Sequence, residues 1–387
     1  MSERVDLAIL GGGCAGLSLA RALAEQAYKD RVVIIEPRRS YHHDRTWCFW
    51  AEAEHQHSEI VSKTWQRWQI STAGHVINHI GSRLSYQQIR SDDFYQACLT
   101  AIAGIPTIDL RQGLRAETVT DQGDHVRVET DVGLILADSV IDTRPRPPHT
   151  DKAALWQDFS GADVETKQPC FDPSTAGLMQ NMTSDENGLK FTYILPMSAH
   201  QALVQTTRFA ITPSSPDRLD NEFLSDLNAL INGPVTLHRW ERGCLPMGQT
   251  ELSLGESPRI MRAGQAAGAL RASSGYGFLR IQTWAEAVAR DLVRARPLVA
   301  RSPGSRLERK MDAIFLAALT RTPQAAPDWF AKLTHHLSGD EFGRFMSRSP
   351  SIGLWLKVVS ALPKAPFIHA LFAELPERHS VTHRVTI

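Results

Sequence analysis

Residues 5–16 read VDLAILGGGCAG, and residues 31–36 read RVVIIE. The first stretch is a short apolar strand that runs directly into glycines, and the apolar residues after it recur at helical spacing. The second stretch is another apolar strand, and it ends on the acid Glu36. Strand, glycine turn, helix, strand and acid in this order predict a βαβ unit of a dinucleotide-binding domain.

Three glycines in the turn have the spacing GxGxxG: Gly11, Gly13 and Gly16. The first permits the tight turn, the second lets the backbone approach a pyrophosphate, and the third lets the helix pack on the strand. The helix presents free N–H groups and its positive dipole end to the phosphates. Glu36 lies 20 positions after Gly16, where an acid accepts hydrogen bonds from an adenosine ribose. An acid here favours FAD or NAD over NADP.

A second glycine-containing segment, near residue 270, favours FAD. Residues 262–268 read RAGQAAG and residues 273–278 read SSGYGF, so small residues let backbone amides reach a flavin and its phosphate. From this segment we select Gly264 and Gly275 as cofactor-binding residues. Flavoproteins of this layout commonly carry Asp after the first glycine, where this chain has Gln265. A left-handed turn without a ligand explains the same glycines and stays open as an alternative.

Length and composition exclude several classes of protein. The chain has 387 residues, enough for two closely packed domains. It carries 42 basic and 42 acidic residues, so no bulk charge favours nucleic acid as a partner. We see no secretory signal and no apolar run of the roughly 18 residues that span a bilayer. Five widely spaced cysteines without a CxxC pair indicate reduced thiols in a cytoplasmic protein, not a disulfide framework or a metal site.

The predicted fold class is α/β: an FAD-binding Rossmann-like domain of the glutathione-reductase type, an inserted β-rich substrate domain and a helical C-terminal region. We assign residues 1–150 and 240–300 to the FAD-binding domain, 151–239 to the β-rich domain and 301–387 to the helical region. The proline-rich stretch RPRPP at 144–148 marks a crossing between domains, because proline lacks a donor and fixes φ. The sequence does not indicate an oligomeric state.

Local patterns within these regions predict individual elements. Residues 191–195 and 202–207 are strands on either side of a short turn, which predicts an antiparallel hairpin. Residues 216–231 and 282–293 have helical patterns. After residue 300 the chain is mostly helical and is broken at prolines.

Short motifs follow one another in order along nearly the whole chain: DRTWCFW at 44–50, YQQIR at 86–90, VIDTR at 140–144, WQDF at 156–159, LPMS at 195–198, ERGCLPM at 241–247 and SGY at 274–276. They resemble motifs of the bacterial lycopene β-cyclases. The resemblance implies a flavoprotein of carotenoid biosynthesis that cyclises the ψ-ends of lycopene, or of a related linear carotene, to β-rings. It also implies reduced FAD, NADPH as the reductant, and peripheral attachment to a membrane surface. Arg45, in the first motif, joins the cofactor-binding candidates.

In this family a proton adds to the terminal alkene, the carbocation is attacked intramolecularly, and loss of a proton leaves a β-ring without net redox. Reduced flavin is anionic, and fixed negative charge stabilises a buried cation. Exclusion of water prevents capture of the cation as an alcohol. Aromatic π-faces also stabilise cations, so Tyr276 and Trp47 are candidates for the wall of a polyene tunnel. A place in the core explains both residues equally well.

Two acids of the family's motifs are amides in this chain. Where the family has Leu-Val-Glu-x-Thr, this chain has Gln205, and where the family has Leu-Met-Asp-Phe, it has Gln180. The family's glutamate is regarded as essential to the proton chemistry, whereas an amide is not a useful general acid. We take Gln205, Asp172 and Tyr276 as the catalytic candidates.

Three interpretations of this departure stay open. In the first, another acid supplies the proton, and Asp172, Glu165 and Asp158 are the nearest candidates in sequence. In the second, the protein is an FAD-dependent oxidoreductase, a hydroxylase or desaturase, that acts on a polyene or isoprenoid. In the third, it is an inactive cyclase homologue with a neutralised site. For any one of the three acids, a surface or turn carboxylate is the plainer explanation.

Near the C-terminus, apolar residues recur on one helical face: Ile352, Trp355, Leu356, Val359 and Leu362. This pattern fits a helix that lies in a membrane interface, because carotenes are available only from a bilayer. A buried helix–helix contact explains the same pattern. Both interpretations stay open.

Overall fold

The computed structural model describes residues 3–145, 153–249, 255–300, 304–347 and 350–373. Part of the predicted proline-rich crossing, residues 146–148, lies outside these ranges. Within them, no helix is both long enough and apolar enough to cross a bilayer.

Strands dominate the first two thirds of the chain, and helices follow one another after residue 278. In chain order the strands are β1 (Glu3–Leu10), β2 (Val32–Glu36), β3 (Thr46–Ala51), β4 (Val61–Trp65), β5 (Arg67–Thr72), β6 (His75–Ile80), β7 (Ser85–Arg90), β8 (Ile108–Gln112), β9 (Ala116–Asp121), β10 (Val126–Thr130), β11 (Gly133–Asp142), β12 (Ala153–Thr166), β13 (Thr175–Asp185), β14 (Gly188–Pro196), β15 (Gln201–Ala210), β16 (Val235–Gln249), β17 (Gly255–Ser257) and β18 (Ile260–Arg262). The α-helices are α1 (Cys14–Glu25), α2 (Ser91–Ile102), α3 (Pro216–Leu230), α4 (Phe278–Val293), α5 (Arg306–Arg321), α6 (Ala326–His336), α7 (Gly339–Ser347), α8 (Ile352–Ala361) and α9 (Lys364–Ala373).

The predicted βαβ unit is confirmed. β1 pairs in parallel with β2 on one side and with β11 on the other. β8 pairs in parallel with β2, and β18 pairs in parallel with β11, in a first sheet of eight strands. All of β2 is buried, because a parallel strand in the middle of a sheet is covered on both faces. On one of those faces α1 packs against α4 and buries Leu19, Leu23, Ala285 and Ala289.

Backbone geometry explains two glycines of the turn between β1 and α1. Gly11 has a φ of +96°, a conformation that residues with a side chain rarely adopt. A Cβ at Gly16 would lie 1.9 Å from the carbonyl oxygen of Gly11. Helix α1 can therefore start this close to the turn only with glycine at position 16.

A second, mostly antiparallel sheet has the strand order β16–β12–β15–β14–β13–β5–β6. The predicted hairpin is confirmed as its β14–β15 pair, closed by a hydrogen bond from the N–H of Met197 to the carbonyl oxygen of Gln201 (2.8 Å). The sheet takes strands from residues 67–80 and 235–249 as well as from 153–210. The chain therefore crosses between the two sheets more than once.

The two faces of the second sheet have different neighbours. On β15, Val204 packs against Phe223 of α3. Leu203 and Phe209, which point to the opposite face, belong to the central core of the molecule. Because alternate residues of a strand point to opposite faces, one face of this sheet is covered by α3 and the other faces the centre.

A small sheet of β3, β7 and β4 joins the central core to the C-terminal helices. The rings of Trp50 on β3 and Tyr86 on β7 lie 4.5 Å apart, and Trp50 also packs edge-on against Phe342 of α7. Leu316 of α5 and Trp329 of α6 are buried in the same core. The predicted helical C-terminal region therefore covers the centre of the molecule.

Candidate functional site

The carboxyl ends of three parallel strands meet at one edge of the first sheet. Leu10 of β1 is in register with Asp142 of β11, and Asp142 is in register with Arg262 of β18. The GxGxxG turn leaves the sheet after Leu10, and the second glycine segment leaves it after Arg262. A Cβ at Gly264 would lie 3.2 Å from the Cβ of Ala15. The fold therefore places side by side two glycine segments that are about 250 residues apart in sequence.

The amino end of α1 is open to a ligand. A Cβ built at Gly13 would meet no atom closer than Nη2 of Arg38, at 4.0 Å. Gly13 precedes the helix without a side-chain capping bond, and no acidic residue stands in the first turn. The first N–H groups of a helix lack partners within the helix and carry its positive dipole end. This arrangement fits an anionic group such as a pyrophosphate.

Glu36 ends β2 beside the glycine turn and is buried. Its Oε2 accepts a hydrogen bond from the N–H of Gly12 (2.7 Å), and its Oε1 accepts one from Nε of Arg38 (2.8 Å). Arg38 also donates to the carbonyl oxygen of Gly12 (3.1 Å) and lies over the rings of Tyr41 and Tyr95. The Arg38 side chain therefore lies beside Gly12 and Gly13 of the glycine turn. We did not select Arg38 from the sequence. The pattern that could have indicated it is a basic residue two positions after Glu36.

Arg45, a cofactor-binding candidate from its motif, is exposed. Its backbone N–H donates to Oγ of Ser91 (3.0 Å), and its Nη1 donates to the carbonyl oxygen of Asp44 (2.6 Å). The bond to Ser91 holds the start of β3 against the start of α2. Unlike Arg45, Arg38 contacts the glycine turn.

The second glycine segment ends in a loop that presents Tyr276 to the centre of the molecule. The N–H of Arg271 donates to the carbonyl oxygen of Tyr276 (2.9 Å), and the carbonyl oxygen of Arg271 accepts from the N–H of Gly275 (2.8 Å). The buried Arg271 side chain pairs with Asp312 of α5 (3.3 Å) and lies over the ring of Phe345. A buried ion pair therefore fixes the loop of Tyr276 to α5.

Three tyrosines meet at this loop. The hydroxyl oxygens of Tyr276 and Tyr86 lie 3.1 Å apart, and Tyr193 approaches Tyr276 from β14. Burial raises the pKa of Tyr193 to about 12 and raises the pKa values of Tyr86 and Tyr276 well above their usual 10. Burial also raises the pKa of the neighbouring Cys48 thiol to about 12. At neutral pH this cluster is uncharged, so it offers hydroxyl groups and π-faces but no anion.

Gln205 lies beside the tyrosines, in register with Tyr193 of β14 on one side and with Gly161 of β12 on the other. Its neighbours Val204 and Thr206 point to α3, so its own side chain points to the centre of the molecule. A Cβ at Gly161 would lie 2.7 Å from the Cβ of Gln205. Within the described part of the chain, the amide of Gln205 makes no hydrogen bond, and its side chain is partly exposed.

The catalytic candidates do not all lie together. Asp172 is in an exposed turn, where it accepts hydrogen bonds from Ser174 and Thr175. The bonds from Ser174 are the main reason that its pKa is lowered. The structure therefore brings Gln205 and Tyr276 together and leaves Asp172 apart at the surface.

The two other acids suggested by the sequence also lie away from Tyr276. The half-exposed carboxylate of Glu165 contacts His238 (2.8 Å). Asp158 is buried, but its Oδ2 accepts from the N–H of Ser214 (2.6 Å), just before α3. Asp158 is in register with Arg208, whose side chain pairs with α3, so both point to the α3 face.

The amide of Gln180 has a structural role in the second sheet. Its Nε2 donates to the carbonyl oxygens of Gln69 (2.6 Å) and Leu178 (3.2 Å), and its Oε1 accepts from Oγ of Ser71 (3.0 Å). These bonds join β13 to β5 across an irregular part of their pairing. A carboxylate lacks the two donors, so an amide at this position matches its surroundings.

Trp47 belongs to a separate core cluster beside α2. Its ring packs edge-on against Phe94 (5.1 Å between centroids) and lies 5.6 Å from Phe278. Of the two aromatic residues singled out from the sequence, Tyr276 is thus the one beside Gln205.

A buried acid that we did not select from the sequence lies in the same row as Gln205. Glu241 of β16 is in register with Gly161, which is in register with Gln205. Its carboxylate accepts hydrogen bonds from the N–H (3.1 Å) and Oγ1 (3.0 Å) of Thr46 and from Nη1 of Arg239 (2.8 Å). Its signal in the sequence is its place as the first residue of the ERGCLPM motif.

The sequence matches a protein-family model along most of its length. The model is described as lycopene cyclase protein, and the match covers residues 6–371. A lycopene beta-cyclase of Pseudescherichia vulneris is 25% identical over 295 residues, which are 73% of each chain. A lycopene beta-cyclase of Pantoea ananas is 22% identical over 283 residues, 71% of this chain and 72% of its own.

Solved structures share the fold at low sequence identity. A geranylgeranyl bacteriochlorophyll reductase-like protein of Thermoplasma acidophilum superposes with a TM-score of 0.64 at 12% identity, over 95% of this chain and 99% of its own. A flavoprotein/dehydrogenase of Cytophaga hutchinsonii superposes with a TM-score of 0.62 at 11% identity, over 89% of this chain and 92% of its own. The predicted α/β, Rossmann-like architecture is therefore confirmed.

Proposed function

This chain belongs to the lycopene cyclase family, and we propose that it cyclises the ψ-ends of lycopene, or of a related linear carotene, to β-rings with FAD as its cofactor. One observation carries the proposal: cyclase-like motifs from distant parts of the sequence meet at a single place. Tyr86, Gln205 and Tyr276 come from three such segments and form one cluster with Tyr193, which lies two residues before the LPMS motif. The relatives named lycopene beta-cyclase support the same substrate class.

The glycine segments fit FAD. The open face at Gly13 and the uncapped start of α1 suit a pyrophosphate, and the adjoining second segment leads to the tyrosine cluster. We propose that the cofactor is held by Gly11, Gly13, Gly16, Glu36, Arg38, Gly264 and Gly275. Arg45 is the weakest of the candidates taken from the sequence, because it contacts neither glycine segment.

The residues around Tyr276 suit chemistry that passes through a carbocation. When bound in its reduced form, with NADPH as the reductant, FAD supplies negative charge that stabilises a cation without net redox. The rings of Trp50, Tyr86, Tyr193 and Tyr276 present π-faces, which attract a cation. Trp50 and Tyr86 are buried, and Tyr193 and Tyr276 are partly buried, so the rings limit the access of water, which would otherwise add to the cation.

A second function is favoured by one observation, the free amide of Gln205. An amide does not protonate an alkene, whereas hydroxylation or desaturation of a polyene by a flavoprotein needs no carboxylic acid at this position. An FAD-dependent oxidoreductase acting on a polyene or isoprenoid is therefore the alternative, and a homologue without activity is the third outcome.

We further propose that the protein is cytoplasmic and attaches peripherally to a membrane through α8. Leu354, Trp355 and Val358 are buried, whereas Ile352 is 74% and Leu356 is 66% exposed. One face of the helix thus packs on the core while the other offers apolar side chains to a bilayer. The two interpretations of the C-terminal pattern therefore apply to different faces of the same helix.

The test of the proposed function is cyclisation of lycopene in lipid vesicles by protein with reduced FAD. We expect β-carotene or a singly cyclised product from wild type, and retained turnover in Gln205→Ala, since the amide carries no acidic proton. Gln205→Glu restores the family's carboxyl group and should raise the rate. No product from any of the three proteins, with flavin bound, would leave a different flavin reaction as the better account.

A further inference from the structure

We propose that Glu241 is the acid–base group of this site: it gives the proton that starts ring closure and receives the proton that ring closure releases. The inference rests on the proposed cyclase function and names the residue that performs its proton transfers. It replaces the acids suggested by the sequence, all of which lie elsewhere.

The position of Glu241 follows from the register of three strands. Glu241 of β16 lies opposite Gly161 of β12, and Gly161 lies opposite Gln205 of β15. Side chains in register on neighbouring strands point to the same face, so Glu241 and Gln205 both face the centre, two strand spacings or about 10 Å apart. Gly161 puts no side chain between them. Of the buried carboxyl groups in the described ranges, Glu241 is the one on this face of the second sheet.

A chain of hydrogen-bonding groups connects Glu241 to the surface. Its Oε2 lies 3.0 Å from Oγ1 of Thr46, which lies 3.4 Å from Nε2 of His43, and Nδ1 of His43 lies 3.3 Å from Asp92. Asp92 is partly exposed. Burial, with Arg239 and Arg90 nearby, lowers the pKa of His43, so the imidazole is neutral at pH 7 and can both accept and donate a proton.

Arg239 joins Glu241 to a second carboxylate, that of Asp163. Nη1 of Arg239 donates to Glu241 (2.8 Å), while Nε of Arg239 donates to Asp163 (3.0 Å). When Glu241 is protonated, Arg239 keeps Asp163 as its partner. When Glu241 is ionised, two carboxylates share one guanidinium, and the net negative charge lies on the face where a carbocation forms.

The step balances without a co-reactant. The carboxyl proton of Glu241 forms a C–H bond at the terminal alkene, and the next double bond attacks the resulting cation to form the ring C–C bond. A C–H bond beside the ring cation then breaks, its electron pair becomes the ring double bond, and the proton returns to Glu241. The product is an isomer of the substrate, and nothing is oxidised or reduced.

The test compares Glu241→Gln with wild type in the vesicle assay with reduced FAD. We expect the rate to fall by about 100-fold or more, the usual effect of losing a general acid–base group. Glu165→Gln, a half-exposed acid on the neighbouring strand, serves as the matched control and should keep the wild-type rate. FAD affinity, measured on both variants, should equal that of wild type, and the rates are compared at a temperature where unfolding curves show both variants to be folded, because loss of the buried Glu241–Arg239 pair lowers stability.

A rescue experiment separates proton transfer from a structural role. In Glu241→Gln, the further change Gln205→Glu puts a carboxyl group back on the same row and should recover part of the lost rate. A Glu241→Gln protein within about threefold of wild type, or one that cannot bind FAD, would overturn the assignment. If wild type itself makes no cyclised product, the proposed function fails instead.

Discussion

At the scale of single residues, Gln180 and Gln205 carry the same side chain in opposite circumstances. The amide of Gln180 is buried and makes three hydrogen bonds, two of which it donates to carbonyl oxygens. The amide of Gln205 makes none within the described ranges. Although both replace an acid of the family's motifs, only Gln205 faces the tyrosine cluster with an unpaired group. The two replacements therefore have different physical reasons.

This contrast predicts the effect of restoring a carboxylate at each position. Gln180→Glu keeps the shape but loses both donors and sets a negative charge beside two carbonyl oxygens, so we expect the free energy of unfolding to fall by about 2–4 kcal/mol. Gln205→Glu, its matched control, should change it by less than about 1 kcal/mol. Urea unfolding of both variants measures this. Equal stabilities would show that the Gln180 bonds contribute nothing.

His57 predicts how stability depends on pH. It is buried, neither ring nitrogen has a partner within the described ranges, and burial lowers its pKa from 6.5 to about 4. Between these values the unfolded chain takes up a proton that the folded protein does not. The contribution of His57 to the free energy of unfolding is complete above pH 6.5. As the pH falls from 6.5 towards 4, that free energy decreases by about 3 kcal/mol.

Urea unfolding at pH 7 and at pH 4.5 measures this loss. His57→Leu should make stability less sensitive to pH, whereas His75→Leu, at an exposed position, should keep the wild-type dependence. A wild-type protein equally stable at both pH values would contradict the prediction.

At the scale of elements, α8 faces both the core and the outside with apolar side chains. Trp355 contacts Phe345 and approaches the buried Arg271, which holds the loop of Tyr276. On its outer face, Ile352 and Leu356 are exposed one helical turn apart. The helix that we propose as the membrane contact is thus packed directly on the residues that position the site.

Charges on this outer face should release the protein from membranes. Burying an apolar side chain contributes about 1.5–3 kcal/mol, so Ile352→Glu with Leu356→Glu should weaken binding to phosphatidylcholine vesicles by at least about tenfold. Vesicle co-sedimentation measures the change. The control is Val132→Glu, because Val132 is 80% exposed in the turn between β10 and β11. Equal binding by both variants would exclude α8 as the contact surface.

At the scale of the whole molecule, the cofactor site lies between β1 and β18, the first and the last strand of the first sheet in chain order. FAD that binds the folded state alone raises the free energy of unfolding by about 2.7 kcal/mol at a hundredfold excess over its Kd. We therefore expect added FAD to raise the thermal midpoint by several degrees. If added FAD leaves the thermal midpoint unchanged and the protein stays colourless, the cofactor assignment is wrong.

Gly13→Val should remove this rise. The space beside Gly13 is open, so the side chain meets the bound pyrophosphate rather than the protein, and the midpoint without FAD should stay near that of wild type. Gly74→Val, in the turn between β5 and β6 with no atom within 4 Å of its Cβ position, should keep the full rise. A Gly13→Val protein that still responds to FAD would place the pyrophosphate elsewhere.

The sequence by itself determined the elements whose signals are local. The βαβ unit, its glycine turn and the β14–β15 hairpin were all predicted and found, because strand alternation, helical spacing and the backbone freedom of glycine are properties of neighbouring residues. The order of motifs along the chain also predicted the family. Each of these signals can be read without knowing what packs against the residues.

Only the tertiary structure decided the composition of the candidate site. Asp172 was expected in it and lies in a surface turn, whereas Glu241 was not selected and lies in the row of Gln205. Arg38 and the structural role of Gln180 were missed in the same way. The positions of Gln180 and Glu241 depend on the pairing of strands from residues 67–80, 153–210 and 235–249, which are distant in sequence. Register between such strands is set by long-range packing, so it cannot be predicted from local periodicity.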